Sequence, residues 1–233
     1  MFKQLFTFIY PKLCFSCDRE LRGDERFICL HCEQDIPIFT SINNWNNVDT
    51  ENPVFQLFWG KSEVQYATSC YEYIKGEKLQ KLIHELKYNG RKSLANYFGE
   101  IMAEEIKSNP KLNDVDTLCF VPSSKQKIRK RGYNQAEELA NSIARHIDKP
   151  SSNVLIKLKN TASQTSKNVH DRHCNLENSF TVNNKKTLPN NTKHLLLIDD
   201  VITTGATLNA CAKVLLSEFD VKISVLTLAY RNV

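Results

Sequence analysis

From about residue 61 onward, short apolar runs alternate with segments whose apolar residues recur every three or four positions. The short runs predict strands at 65–73, 117–122, 153–158, 194–201 and 221–230. Helical spacing is clear at 77–88, where Leu79, Leu82, Ile83 and Leu86 make one stripe, and at 134–147, where Ala136, Leu139, Ala140, Ile143, Ala144 and Ile147 make another. Two more helices are predicted at 94–107, on Leu94, Phe98, Ile101 and Met102, and at 207–218. Strands separated by helices predict an α/β fold with an open, mostly parallel sheet and helices on both faces.

The first sixty residues do not follow that rhythm. Residues 1–40 hold two close cysteine pairs and form one expected unit; residues 41–60, rich in Asn and Ser, read as a connector to a main domain at 61–233. The stretch 159–175 is polar and long enough to be a functional loop.

Composition narrows the class. The chain has 233 residues, 41% hydrophobic, which is enough for a sizeable core. Lys and Arg number 31 against 26 Asp and Glu, a net charge of +5 that suits a phosphorylated ligand or nucleic acid without demanding either. The apolar start lacks the h-region and cleavage site of a signal peptide, and no run reaches the roughly 18 apolar residues of a membrane span. A soluble cytoplasmic protein without membrane insertion is the expectation.

The densest chemistry lies at 195–207, Leu-Leu-Leu-Ile-Asp-Asp-Val-Ile-Thr-Thr-Gly-Ala-Thr. Four apolar residues make a buried strand, so Asp199 and Asp200 are expected at its carboxyl end, where open α/β sheets bind ligands. Thr203, Thr204, Gly205, Ala206 and Thr207 then open a helix, and N–H groups at a helix start joined by hydroxyls make a phosphate cradle. Gly205 is expected to let the backbone approach the anion. The carboxylates suit ribose hydroxyls and a Mg²⁺ held by them. Capping of a strand and a helix is the alternative use of the same residues.

Cys14 and Cys17, then Cys29 and Cys32, are two Cys-x₂-Cys knuckles, a spacing that completes a tetrahedral Zn²⁺ site of the closed, structural kind. Two redox dithiols would be the alternative. His31 stands beside Cys32 but is not needed as a fifth ligand. Cys70, Cys119, Cys174 and Cys211 are scattered and read as buried thiols.

The cysteine ribbon together with the acid-pair loop resembles the ComF family, the competence-protein F and GntX-like group, within the type I phosphoribosyltransferase superfamily. The resemblance extends to Lys87-Tyr88-x-Gly90, to Val121-Pro122, to the string Arg131-Gly132-Tyr133-Asn134-Gln135-Ala136, and to Thr161, Gln164, Arg172, Asn175 and Phe180. It implies a phosphoribosyltransferase-like fold that binds phosphoribosyl diphosphate with Mg²⁺, with Asp199, Asp200 and residues 203–207 on the sugar phosphate. Ser123, Ser124, Arg131 and Lys87 would stand around the diphosphate, and 159–175 would be a closing loop. Relatives commonly carry arginines where this chain has Lys157 and Lys159.

Three classes of function remain open at this level. A glycosyltransferase would displace diphosphate from the anomeric carbon, with no acceptor legible in the chain. A competence factor handling single-stranded DNA would use the basic run Lys125, Lys127, Arg129, Lys130 and Arg131 beside Tyr133. A zinc-ribbon adaptor would bind a competence or DNA-uptake protein through residues 1–40.

Overall fold

The computed structural model describes residues 11–39, 52–158 and 179–232. Its centre is a five-stranded, all-parallel sheet in the order β1-β7-β6-β2-β3, formed by β1 (Val64–Glu72), β2 (Thr117–Phe120), β3 (Ser151–Ser152), β6 (His194–Ile202) and β7 (Lys222–Tyr230). Strand β6 is apolar on both faces because both are covered. Leu196 and Ile198 enter one core layer while Leu195 and Leu197 enter the other.

The first layer is covered by α3 (Lys78–Tyr88), α4 (Lys92–Ser108) and α6 (Gln135–Ile147). The buried stripes of these helices are the ones their spacing predicts. Helices α4 and α6 approach closely at Gly99, where a side chain would run into Ser142. The second layer is covered by α7 (Ala206–Glu218) and by α2 (Pro53–Gln56) with the residues that follow it. Among the described residues no helix is long and apolar enough to cross a membrane.

Residues 11–39, which include α1 (Leu30–Gln34), share the first layer: Cys14, Ile28, Cys29, Cys32 and Ile36 lie in the same buried cluster as Tyr71, Leu79 and Leu82. They also extend the sheet. Ile38 bridges Tyr71 in antiparallel sense, and Phe39 N–H donates to the Cys70 carbonyl at 3.0 Å.

Three expectations change. Residues 52–60 are packed structure rather than connector: Asn52 caps α2 by accepting from the Val54 and Phe55 N–H groups, Pro53 takes the first helical position, and Val54 and Phe58 are buried. The strand expected at 153–158 is not part of the main sheet. Ser151 and Ser152 pair with β2, whose ladder then ends at Pro122, so the chain turns away and β4 (Leu155–Lys157) pairs antiparallel with β5 (Phe180–Val182). Finally, the basic run is a helix, α5 (Lys125–Arg131), with Ser124 as N-cap and Gly132 at φ +87° as its stop. It buries nothing, so hydrophobic periodicity could not announce it.

Candidate functional site

Strand β2 leads through α5 and α6 to β3 on one side of the sheet, and β6 leads through α7 to β7 on the other. The strand order therefore reverses between β2 and β6, which is where open α/β sheets form a crevice at the carboxyl ends of their strands. Strand β2 ends opposite Ile198, while β6 runs on beside β7 to Ile202. Asp199 and Asp200 thus face open space on the β2 side.

A cavity of about 320 Å³ fills that space. Its walls include Lys87, Ser123, Ser124, Lys127, Arg131, Lys157, Asp199, Asp200, Thr203 and Thr207, bringing together most of the residues expected at a site. Lys87 Nζ lies 2.9 Å from Asp200 Oδ2. The Asp200 N–H donates to Asp199 Oδ1 at 2.9 Å. Asp199 sits deep among protein atoms, and that burial, with the neighbouring charge of Asp200, pushes its carboxyl up to about 7 despite the opposing Asp200 N–H and the cations Lys87 and Lys127.

Opposite the acids, Ser124 is spent on capping α5, accepting from Lys127 N–H at 3.3 Å. Ser123 Oγ donates to Asn134 Oδ1 at 3.0 Å, and Asn134 Nδ2 donates to the Val121 carbonyl. Asn134 therefore ties the end of β2 to the start of α6. Arg131 is held by Gln135 Oε1 at 2.8 Å and by the Tyr88 hydroxyl at 3.2 Å. Lys157 reaches the cavity with its ammonium over the Phe180 ring at 4.9 Å; burial, then Lys127, lowers its pKa. Four cations face two carboxylates, an arrangement for a polyanion. The matched positions Thr161, Gln164, Arg172 and Asn175, the expected closing loop and Cys174 lie outside the described residues.

The sulfur atoms of Cys14, Cys17, Cys29 and Cys32 all lie within 4.8 Å of one another and can hold a metal ion. The Cys14 sulfur accepts the N–H groups of Ser16 and Cys29, both at 3.4 Å. Burial opposes a thiolate there, yet these backbone donors prevail and lower Cys14 to about 7. Cys32 is pushed up, by burial first and then by its sulfur neighbours. Holding all four deprotonated thus calls for a cation among them. His31 is outside the cluster, its Nε2 3.6 Å from Asp35. Cys70, Cys119 and Cys211 are buried thiols as expected.

Residues 133–233 match the model of the phosphoribosyl transferase domain. Over that stretch the chain is similar to a phosphoribosyl transferase domain. It is also similar to competence protein F of Haemophilus influenzae, 27% identical over 87% of this chain and 83% of that protein. To the DNA utilization protein YhgH of Escherichia coli it is 29% identical over 59% of this chain, spanning 61% of that protein's length. A solved adenine phosphoribosyltransferase from Thermoanaerobacter pseudethanolicus superposes with a TM-score of 0.40 at 15% identity, over 67% of this chain and 77% of that one.

Within the matched stretch, the loop at 203–207 packs against protein as well as lining the cavity. Gly205 is the left-handed N-cap of α7, at φ +71°. A Cβ there would meet Leu57 Cβ at 3.0 Å and Asn209 Nδ2 at 3.3 Å, so the glycine makes room for neighbouring protein atoms. Asn209 completes the joint, donating to the Leu57 and Gly205 carbonyls and accepting from Ser62 Oγ. Thr203 and Thr207 line the cavity, whereas Thr204 points to solvent and Gly205 and Ala206 are not in its wall. Leu57 and Asn209 escape sequence reasoning because 152 residues separate them.

This joint predicts that Gly205→Ala lowers stability by about 1–2 kcal/mol, from the positive φ and the crowded Leu57 contact. In a Leu57→Gly background, which removes the Cβ that crowds it, the same substitution should cost less, as read by chemical denaturation. Equal losses in both backgrounds would leave backbone conformation as the whole cause.

Proposed function

We propose that the crevice between β2 and β6 binds phosphoribosyl diphosphate as its Mg²⁺ complex, in a phosphoribosyltransferase-like protein of the cytoplasm linked to DNA uptake. The observation that carries this reading is the opposition of two adjacent carboxylates to four cations within one small cavity at the switch point of the sheet. Asp199 and Asp200 would accept the ribose hydroxyls. Thr203 and Thr207, with the N–H groups of the loop and of the start of α7, would hold the 5-phosphate. Ser123, Arg131 and Lys87 surround the space left for the diphosphate, Arg131 presenting a planar fork already steadied by Gln135 and Tyr88. Hard carboxylate oxygens suit Mg²⁺, which when bound would neutralise a diphosphate leaving group. If transfer occurs, these residues orient the anomeric carbon for displacement by an acceptor.

The DNA in the name of the Escherichia coli relative supports a second activity on an adjoining surface, single-stranded DNA binding. Helix α5 presents Lys125, Arg129 and Lys130 to solvent next to the cavity. Lys127 lines the cavity, so it is left out of the test. Replacing Lys125, Arg129 and Lys130 by Ala should weaken binding of a single strand and lower its salt slope by up to about 2 units. An unchanged slope would remove α5 from the interface.

The four-cysteine site we assign to structural Zn²⁺ in a ribbon at 1–40, whose described residues 11–39 dock on α3 and α4 by Lys78–Asp35, Lys81–Asp18 and Tyr97–Glu33 contacts. Metal analysis should find about one Zn²⁺ per chain. Cys29→Ser should lower zinc content and loosen the ribbon. Zinc-free protein purified without chelator would overturn the assignment.

The acid pair gives the central test. Asp199→Asn/Asp200→Asn should fold normally and lose at least about tenfold in affinity for phosphoribosyl diphosphate, near 1.4 kcal/mol, by calorimetry with Mg²⁺. Because the raised Asp199 carboxyl must lose its proton to accept two hydroxyls, wild-type affinity should rise as pH increases through about 7. That step should vanish in Asp199→Asn, which separates it from ionisation of the ligand. Equal binding by the folded double variant and wild type would reduce the acids to a strand end.

A further inference from the structure

Lys87 does more than line the cavity. Its ammonium lies 2.9 Å from Asp200 Oδ2, and both side chains are largely withdrawn from water, at 21% and 14% exposure. Of the other cations of the cavity, Arg131 is held by Gln135 and Tyr88, Lys157 lies over the Phe180 ring, and Lys127 is exposed on α5. The backbone behind Lys87 is fixed as well. The neighbouring Leu86 is fully buried, and its carbonyl accepts the Tyr133 hydroxyl, so the end of α3 is pinned to the Arg131–Ala136 string. What remains free is a four-carbon stem carrying three rotatable donors.

Resting on the binding mode above, we propose that Lys87 is a resident counter-ion that keeps free divalent cations off the acid pair and yields Asp200 only to a metal that arrives on a diphosphate. A bare Mg²⁺ approaching Asp200 meets an ammonium already in place. Repelling that ammonium and desolvating a small, tightly hydrated ion leaves the free metal little to gain. A metal–diphosphate complex offers Lys87 a second partner. The ammonium swings from Asp200 to a phosphate oxygen on the Arg131 side of the same cavity, and the acid is freed as the sugar hydroxyls reach it. The exchange keeps one charge-assisted pair at Lys87 throughout, so neither state leaves a buried ammonium or carboxylate alone. Selectivity for the complexed metal over the free ion follows from this one side chain.

The test is a Mn²⁺ titration, read by the electron spin resonance of the free ion, on protein retaining its cysteine-bound metal and with no sugar phosphate present. Wild type and Lys87→Arg, which keeps the charge, should show only weak surface binding. Lys87→Met should gain one Mn²⁺ site at least about tenfold tighter. Asp200→Asn in the Lys87→Met background should abolish the gain. Circular dichroism on each variant confirms folding, and Lys87→Arg guards against a packing effect of the methionine. Mn²⁺ binding by Lys87→Met no tighter than wild type, or equally tight in the Asp200→Asn background, overturns the counter-ion role. Because this titration contains no phosphoribosyl diphosphate, its failure is separate from failure of the ligand assignment, which calorimetry of the wild type decides.

Discussion

The pocket depends on one constraint: a strand buried on both faces must carry two carboxylates immediately after its last fully covered residue. Leu195 to Ile198 need neighbours above, below and on both edges, and receive them from two core layers and from β2 and β7. Once β2 stops at Phe120, Asp199 and Asp200 leave the core at a point where protein still surrounds them. The result is an acid with a raised pKa beside an acid that takes a lysine as partner.

Polar side chains join the elements around the crevice to one another. Asn134 ties β2 to α6, the Tyr133 hydroxyl ties α6's approach to the end of α3, and Asn209 ties α7 to residues 57–62. Each joint uses a polar side chain to donate to a backbone carbonyl of another segment. Their common effect is to hold loops, which have little packing of their own, at fixed positions around a polar cavity. The cysteine ribbon extends this logic to the far side of α3, whose Lys78 and Lys81 meet acids of the ribbon while Lys87 meets Asp200. One helix therefore spans from the four-sulfur cluster to the acid pair.

Most of the regular structure was legible because its causes are local. Apolar residues at three- and four-residue spacing marked α3, α4 and α6 within two residues of their ends. Helix α5 was not legible by that means, since a helix without a buried face has no periodicity to read; only Ser124 and Gly132 marked its limits. The strand at 153–158 was misplaced for a different reason. Its apolar content told that it pairs, but its partner was decided by where β2 runs out.

The sequence by itself determined the alternation of elements, the emergence of Asp199 and Asp200 from a buried strand, and the two Cys-x₂-Cys knuckles, because each is written in residues close along the chain. Tertiary structure alone decided that Lys87 faces Asp200, that the four sulfurs converge within 4.8 Å, and that Gly205 packs against Leu57. Those are contacts between side chains that only the packing of distant segments brings within a few ångströms, and no spacing along the chain encodes such a distance.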